Sequence, residues 1–333
     1  MKISVIIPVY NASCYLDASV TSVVRAAQVA SSQGVKVEIV LIDDGSTDGS
    51  SELLVGLAGQ KIEGVTWLIR RQANSGAGRA RNLGIRCATG DWLLFVDADD
   101  MIAETTFARL HEVACDAVDM IGFSYRTLLE EVTAFEEEQP NGREEVRDLT
   151  GRLEYGIFWR NFWTCCYRRS IVPEAGFPPY VVGEDLVFLA GAFVKARRMV
   201  ELTDKLYGYR IHQGSAIHSG MTMRKLSDYL RYNLERIEIL RESGKLMDSL
   251  IYRRIGLELT ENAVAKILQM TKKEEKKAWE QWYYALDRCR LHRHLFTQWT
   301  RLVIVACSWL PLRIVAYGLC VLPYRLKVLG FHR

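Results

Sequence analysis

The chain has 333 residues, 49% hydrophobic and 25% charged, which suits a globular protein of one large or two small domains. Its formal net charge of +3 excludes the strong basic field of a nucleic-acid binder, so no nucleic-acid partner is expected. Its eight cysteines form no C-x-x-C pair, which argues against zinc and fits a reducing compartment.

Residues 2–9 are β-branched and unalternating, as in a buried parallel strand, and Pro8 and Asn11 end them. The run is short and broken by proline, so no signal peptide is expected. A helix is predicted over 15–30, with Leu16, Val20, Val23, Val24 and Ala27 at helical spacing, broken by Gly34. A second buried strand, 35–42, ends in Asp43-Asp44-Gly45-Ser46. Ser46, Thr47 and Asp48 are N-cap candidates for the helix that runs through Leu57. A third strand, 64–69, leads through Asn74-Ser75-Gly76-Ala77-Gly78 into a helix over 79–88, which Gly90 stops. A fourth strand, 92–96, runs into Asp97, Asp99 and Asp100; a helix near 104–114 and a strand over 117–123 follow. Strand and helix alternate with short connections, which predicts a doubly wound α/β sheet. In such sheets ligands bind beyond the carboxyl ends of the strands. Pro8, Asp43, Asp44 and the acids at 97–100 all fall there.

A buried strand cannot keep three acids inside without partners, so Asp97, Asp99 and Asp100 should stand at its tip, facing a crevice. Clustered carboxylates repel one another unless a cation lies between them. Oxygen ligands suit Mg2+ or Mn2+, often completed by substrate phosphates. The pattern predicts a metal–diphosphate site; its alternative is a solvated acidic turn capping the helix near Ala103. The run from Gly76 to Arg81 is a partial dinucleotide fingerprint. Its sixth position is Arg81 rather than glycine, and it follows the third strand, which argues against a nicotinamide or flavin site. Glycines at a helix N-terminus still favour a phosphate, and Arg79 and Arg81 can add charge-assisted hydrogen bonds. The alternative is a plain loop with two surface arginines.

Four blocks in order carry a family resemblance: Val5-Ile6-Ile7-Pro8-Val9-Tyr10-Asn11; Asp43-Asp44-Gly45-Ser46-Thr47-Asp48; Asn74 with Ala80-Arg81-Asn82-Leu83-Gly84; and Gly90-Asp91 through Asp97-Ala98-Asp99-Asp100. Together they resemble glycosyltransferase family 2, the large inverting family on the GT-A fold. The resemblance implies a mostly parallel sheet with flanking helices and a nucleoside-diphosphate sugar donor, a UDP-hexose above others. It implies that Pro8 and Tyr10 lie beside the base and that Asp44 hydrogen-bonds it. Arg81 approaches the diphosphate or donor sugar, Asp97 contacts the ribose, and Asp99 is the metal ligand through the donor's diphosphate. Asp100 assists either acid. In the same terms Glu184-Asp185, ahead of an apolar helix, supplies the base Asp185, with Glu184 holding the acceptor or orienting Asp185. Two adjacent acids there also suit the helix dipole. Arg210 or His212, in Tyr207-Gly208-Tyr209-Arg210-Ile211-His212, closes over the diphosphate, and His212 is also a second candidate metal ligand. Where relatives often carry Trp-Asn-Lys-Leu-Tyr, this chain has Trp163-Thr164-Cys165-Cys166-Tyr167, which puts acceptor contacts at this strand in doubt.

Phe158-Trp159 and Phe162-Trp163 form an aromatic cluster, read as core packing or, through Trp163, as an acceptor-stacking surface. Residues 130–145 read as an exposed acidic excursion. Beyond 221 the chain is helix-rich, with one stripe at Leu226, Leu230, Leu234 and Ile237 and another at Ile251, Ile255, Leu259, Val264 and Ile267. Over 290–310, Arg290, His294, Gln298 and Arg301 share one helical face and Leu295, Phe296, Trp299, Leu302 and Val303 the other. That amphipathic tail suits in-plane membrane attachment; Pro311 and Arg313 oppose a simple span. The organisation expected is a catalytic domain over 1–220 (nucleotide half 1–125, acceptor half 126–220), a helical extension over 221–290 and a membrane-associated tail over 291–333. The function expected is metal-dependent, inverting transfer to a hydroxyl of a glycan or polyprenyl-linked acceptor in polysaccharide biosynthesis. The enzyme would be cytoplasmic and peripheral on the inner face of the cell membrane, with oligomer formation left open. The rivals are a catalytically silent membrane-associated scaffold of this fold and a nucleotide-binding oxidoreductase.

Overall fold

A computed structural model describes residues 1–135, 143–153, 160–212 and 221–247, together with parts of 251–285. These group into two compact units: the first draws on 1–151, 160–179 and 191–218, the second on 152–159, 180–190 and 219–333.

The first unit begins β1 (Lys2–Val9), α1 (Leu16–Ser31), β2 (Lys36–Asp43), α2 (Ser50–Ala58), β3 (Val65–Arg71), α3 (Ala77–Cys87) and β4 (Trp92–Phe95). It continues with β5 (Met101–Ile102), α4 (Thr106–Val113), β6 (Met120–Leu128) and β7 (Glu144–Asp148). Strands β1 to β4 pair in parallel, in the order β3-β2-β1-β4. Strand β1 lies between two partners with its aliphatic side chains sealed on both faces, which is why its sequence does not alternate. Each such side chain contributes roughly 1.5–3 kcal/mol on burial, so the central strands make a stiff platform. The register pairs Val9 with Asp43 and Asp43 with Arg71, and Val96 N–H donates to Ile6 O at 3.1 Å. The carboxyl ends of β1, β2 and β4 therefore finish side by side.

Past β4 the sheet turns mixed. The short β9 (Cys165–Arg168) runs antiparallel between β4 and β6, and β10 (Arg198–Arg210) runs parallel to β6. Strands β5 and β7 pair antiparallel with β10. Ahead of β6, buried Asp119 accepts hydrogen bonds from Arg197 N, Nε and Nη2 at 2.9, 3.0 and 2.9 Å, tying the starts of β6 and β10 together. This is the expected α/β architecture, a mostly parallel sheet with flanking helices.

One local expectation changes. The N-cap of α2 is Gly49, not Ser46, Thr47 or Asp48. Asp48 instead accepts from Ser50 N at 3.0 Å and from Ser13 N at 3.0 Å, while Ser46 and Thr47 bond to Asn11, so the three side chains lace loops together. Of the acidic excursion, Glu144 and Glu145 open β7 and are exposed, as expected.

In the second unit, β8 (Arg152–Leu153) pairs in parallel with β11 (Leu246–Met247). The unit holds the start of α5 (Glu184–Lys195), then α6 (Met223–Glu242), a π-turn at Glu258–Asn262 and α7 (Ala263–Ile267). Thr222 caps α6 by accepting from Lys225 N. The predicted stripe is buried at Leu226, Leu230, Leu234 and Ile237, as are Ile251, Ile255, Leu259 and Ile267. Trp282 is fully buried and donates from Nε1 to Leu259 O at 2.8 Å. Phe158, Trp159 and the amphipathic tail lie outside the described residues, among which no helix is long and apolar enough to cross a membrane.

Candidate active site

A cleft of about 480 Å³ opens at the strand tips of the first unit. Pro8, half-exposed Tyr10, Asn11 and Tyr15 line one part of it. Asn11 is held at φ 49, a left-handed conformation that asparagine tolerates. Its Oδ1 accepts from Thr47 N at 2.8 Å and its N–H donates to Ser46 Oγ at 3.2 Å, joining the loops after β1 and β2.

Asp44 is 2% exposed and lines the same cleft. Its Oδ1 accepts from Gln72 Nε2 at 2.7 Å and Ser75 N at 2.9 Å, and its Oδ2 from Gly76 N at 2.8 Å. The carboxylate thus anchors the loop into α3 and keeps lone-pair capacity on Oδ2. Gly45 has φ +79, and a Cβ there would lie 2.9 Å from Asn74 N, so only glycine lets the two loops approach. Gly76 and Ala77 bring the N-terminus of α3 to the cleft wall.

Arg81, on α3, is 6% exposed. Its Nη2 donates to Asp97 Oδ1 at 2.7 Å, and its guanidinium lies over the rings of Phe162 and Phe177 at 4.6 and 5.5 Å. The planar cation is thereby held by one carboxylate and the faces of two aromatic rings.

The three acids after β4 separate in role. Asp97 and Asp99 line the cleft, with side chains 28% and 35% exposed. His212 Nε2 lies 2.9 Å from Asp99 Oδ2, and its ring packs 4.8 Å from Tyr15. Burial and then the charge of Asp97 hold the Asp99 carboxyl above the ordinary range, against the pull of His212. Asp100 is 1% exposed and turned into the protein. It accepts from Arg210 N and Tyr207 Oη, each at 2.7 Å. Burial, followed by the charges of Asp97 and Asp99, pushes its carboxyl up to about 8.

Arg210 is likewise internal, at 2% exposure, and does not line the cleft. Its Nε donates to Asp99 O at 2.7 Å, its Nη1 to Glu130 O at 2.6 Å and its Nη2 to Met101 Sδ at 3.3 Å. The guanidinium that the resemblance assigns to the diphosphate is spent on the Asp99 carbonyl in the acidic turn, the Glu130 carbonyl beyond β6 and the Met101 sulfur. Trp163 stacks on Tyr207 and Tyr209 at 4.5 and 5.4 Å, with half-exposed Tyr125 edge-on at 5.0 Å. Thr164, Cys165 and Cys166, where the chain departs from the family pattern, are buried.

Glu184 and Asp185 belong to the second unit, where they open α5 half-buried. The segment before them is held to α6. Tyr180 Oη donates to Glu235 Oε2 at 2.6 Å and Val181 N to Asp228 Oδ2 at 2.9 Å.

Among the described residues no three His, Cys, Asp or Glu side chains form a ready metal cage. Asp99 and His212 nonetheless converge beside a second carboxylate, Asp97, and the resulting repulsion on Asp99 is of the kind a cation relieves. The Asp99 carboxylate fits Mg2+ or Mn2+, which bind through one or two carboxylates plus phosphate oxygens and water, whereas the His212 imidazole is a softer ligand than these hard ions prefer. Sequence reasoning passed over Tyr15 as a cleft-lining residue, and Tyr207 as the buckle of the acidic turn. Tyr15 carries no motif, and Tyr207 reaches the turn from more than a hundred residues away.

The family description Glycosyl transferase family 2 matches residues 4–172. The uncharacterized glycosyltransferase YibD of Escherichia coli is 29% identical over 255 residues, 73% of this chain and 71% of that protein. The succinoglycan biosynthesis protein ExoO of Rhizobium meliloti is 28% identical over 214 residues, 59% of each chain, so this chain spans about three fifths of that relative. The structure of S. aureus TarS 1-349 in complex with UDP-GlcNAc matches with a TM-score of 0.70 at 19% identity, over 100% of this chain and 93% of that one. The mannosyltransferase PcManGT of Pyrobaculum calidifontis, in complex with GDP-Man and Mn2+, matches with a TM-score of 0.53 at 14% identity, over 99% and 88%. Both likenesses speak for a shared fold.

Proposed function

This chain belongs to glycosyltransferase family 2, and we propose that it is an inverting, metal-dependent hexosyltransferase using a UDP-sugar. Its acceptor is a hydroxyl of a glycan or polyprenyl-linked sugar in polysaccharide biosynthesis. The observation that carries the proposal is the convergence of Asp44, Arg81, Asp97, Asp99 and His212 on one cleft at the strand tips. Two structural neighbours, solved with UDP-GlcNAc and with GDP-Man and Mn2+, and a relative named for succinoglycan biosynthesis support the donor, metal and pathway class.

In this reading Pro8 and Tyr10 flank the base and Asp44 Oδ2 accepts its N–H. Asp97 takes a ribose hydroxyl. Arg81 and the N-terminus of α3 favour the diphosphate charge. Asp99 and His212 hold Mg2+ or Mn2+, which when bound offsets charge on the departing nucleoside diphosphate. Arg210 braces the acidic turn from behind instead of touching the donor. Asp185 accepts the proton of the acceptor hydroxyl as that oxygen bonds to the anomeric carbon and the carbon–diphosphate bond breaks. One displacement inverts the centre without a covalent sugar–enzyme intermediate. Glu184 and Trp163 contact the acceptor. The tail over 291–333 keeps the enzyme on the inner face of the membrane, beside a lipid-linked acceptor.

Thermal shift and UDP release against a panel of nucleoside-diphosphate sugars, with and without Mn2+, test the proposal. A ligand that binds only the native state raises the melting temperature. A Mn2+-dependent shift with a UDP-sugar is expected; an equal shift without metal removes metal dependence, and no shift with any sugar nucleotide overturns the donor.

A further inference from the structure

The ladder between β1 and β4 ends where the acids begin. Val96 N donates to Ile6 O, but the next amide, Asp97 N, lies past the last paired residues of the two strands, Ile6 and Phe95. A backbone N–H in the interior needs a partner. This one donates to the phenol oxygen of Tyr207, on β10, at 3.2 Å. The same hydroxyl donates its own hydrogen to Asp100 Oδ2 at 2.7 Å. A phenol offers one donor and accepts in return. A single oxygen therefore joins the first and last residues of the acidic turn, which Asp100 N closes on Asp97 O at 3.0 Å.

Tyr207 can hold the turn because its own place is fixed. The residue is fully buried. Its backbone lies between two strands, opposite Tyr125 of β6 and Ile102 of β5, and its ring stacks on Trp163 with centroids 4.5 Å apart. Strand β5 starts directly after Asp100, so the exit of the turn is paired to the strand that carries Tyr207. Between the two anchored ends, Asp97 and Asp99 keep their carboxylates in the cleft, one on Arg81 and the other beside His212. Arg210 adds a hold on the middle of the turn at Asp99 O, whereas the entry, Asp97 N, is held by Tyr207.

We propose that Tyr207 is a positioning residue of the donor cleft: its hydroxyl clamps the acidic turn at both ends and so sets where Asp97 and Asp99 present their carboxylates to a nucleoside diphosphate. This rests on the reading of the cleft as the donor site. Tyr207 stands behind the turn, does not line the cleft and acts through the two acids. Binding groups must be held within about 0.5 Å of their productive geometry, so freeing one end of the turn costs donor affinity.

The test is calorimetric titration of the full-length protein with UDP, in Mn2+ and in EDTA, well below the melting temperature. Tyr207→Phe removes the hydroxyl and leaves a ring to stack on Trp163. Its UDP affinity is expected to fall about tenfold or more in Mn2+, where Asp97 and Asp99 both contribute, and about threefold or more in EDTA, where Asp97 acts alone. A purely structural role predicts a lower melting temperature with UDP affinity unmoved. Wild-type affinity in both buffers in folded Tyr207→Phe overturns the proposal. Should that variant not fold, Asp100→Ala decides. It takes away the carboxylate that aims the hydroxyl, on a buried side chain turned away from the cleft, and should weaken UDP in the same direction. Unchanged affinity there overturns the proposal equally. Failure of the underlying reading looks different. Wild-type protein that binds UDP in neither buffer removes the donor site and this proposal with it. Asp99→Ala that keeps the full Mn2+ gain removes the metal role alone, and Tyr207→Phe is then judged in EDTA.

Discussion

The pair Arg81–Asp97 offers the sharpest test of the donor cleft. Its atoms lie 2.7 Å apart, with the guanidinium nearly sealed and the carboxylate side chain 28% exposed. Unit charges about 4 Å apart attract by about 4 kcal/mol at an effective dielectric of 20. Partial exposure of Asp97 screens that figure, so a coupling of roughly 1–3 kcal/mol is expected. Arg81 has further contacts, including the Phe162 and Phe177 rings, so a single replacement reports more than the pair. The clean measurement is a double-mutant cycle of Arg81→Met and Asp97→Asn in urea unfolding. Calorimetric titration with UDP accompanies it. Arg81→Met should weaken UDP about tenfold or more, which is about 1.4 kcal/mol. Additivity within about 0.5 kcal/mol, together with unchanged UDP affinity, would refute both the coupling and the role in the cleft.

Asp99→Ala should remove the Mn2+-dependent part of a UDP-induced thermal shift and leave the metal-independent part; a full Mn2+ response refutes the metal role. Gly183→Ala forces a methyl into the Tyr232 ring at a positive φ and should cost about 1–3 kcal/mol of local strain, read as a lower rate of UDP release with UDP binding spared. Wild-type turnover in that variant sinks the argument. Hydrogen bonds from Arg197 hold the Asp119 carboxyl below the ordinary range, although burial pushes it up. In acid the unfolded chain therefore binds more protons than the native one. The stability this contributes is present above the unfolded value, about 3.9, and is lost as pH falls through the folded one. Asp119→Asn should flatten that acid slope and cost roughly 1.5–3 kcal/mol at neutral pH, and a urea series against pH checks both. Removing residues 291–333 should release the protein from anionic lipid vesicles; continued cosedimentation refutes membrane attachment by the tail.

Strands β1 to β4 and the helices between them lie within two or three residues of where hydrophobic periodicity predicts them. Such a pattern is local: a strand buried on both faces writes itself as a continuous apolar run, and the acids that follow mark its tip. Strand β9 was not readable in this way. It has four residues, Cys-Cys-Tyr-Arg, and owes its place to antiparallel pairing with β4 and β6, partners distant in sequence.

The division of labour among the three acids shows the same boundary. Sequence alone determined that Asp97, Asp99 and Asp100 follow one another at a strand end, and from their spacing predicts charge repulsion among them. It also determined the family, through four short blocks within the first hundred residues. Only the tertiary structure decided that Asp100 faces inward, that Arg210 Nε donates to Asp99 O, and that His212 meets Asp99. Each of those contacts joins residues more than a hundred positions apart through β10. Periodicity places a residue on a face of its own element. Which partner that face meets depends on how the elements assemble, and no local pattern records it.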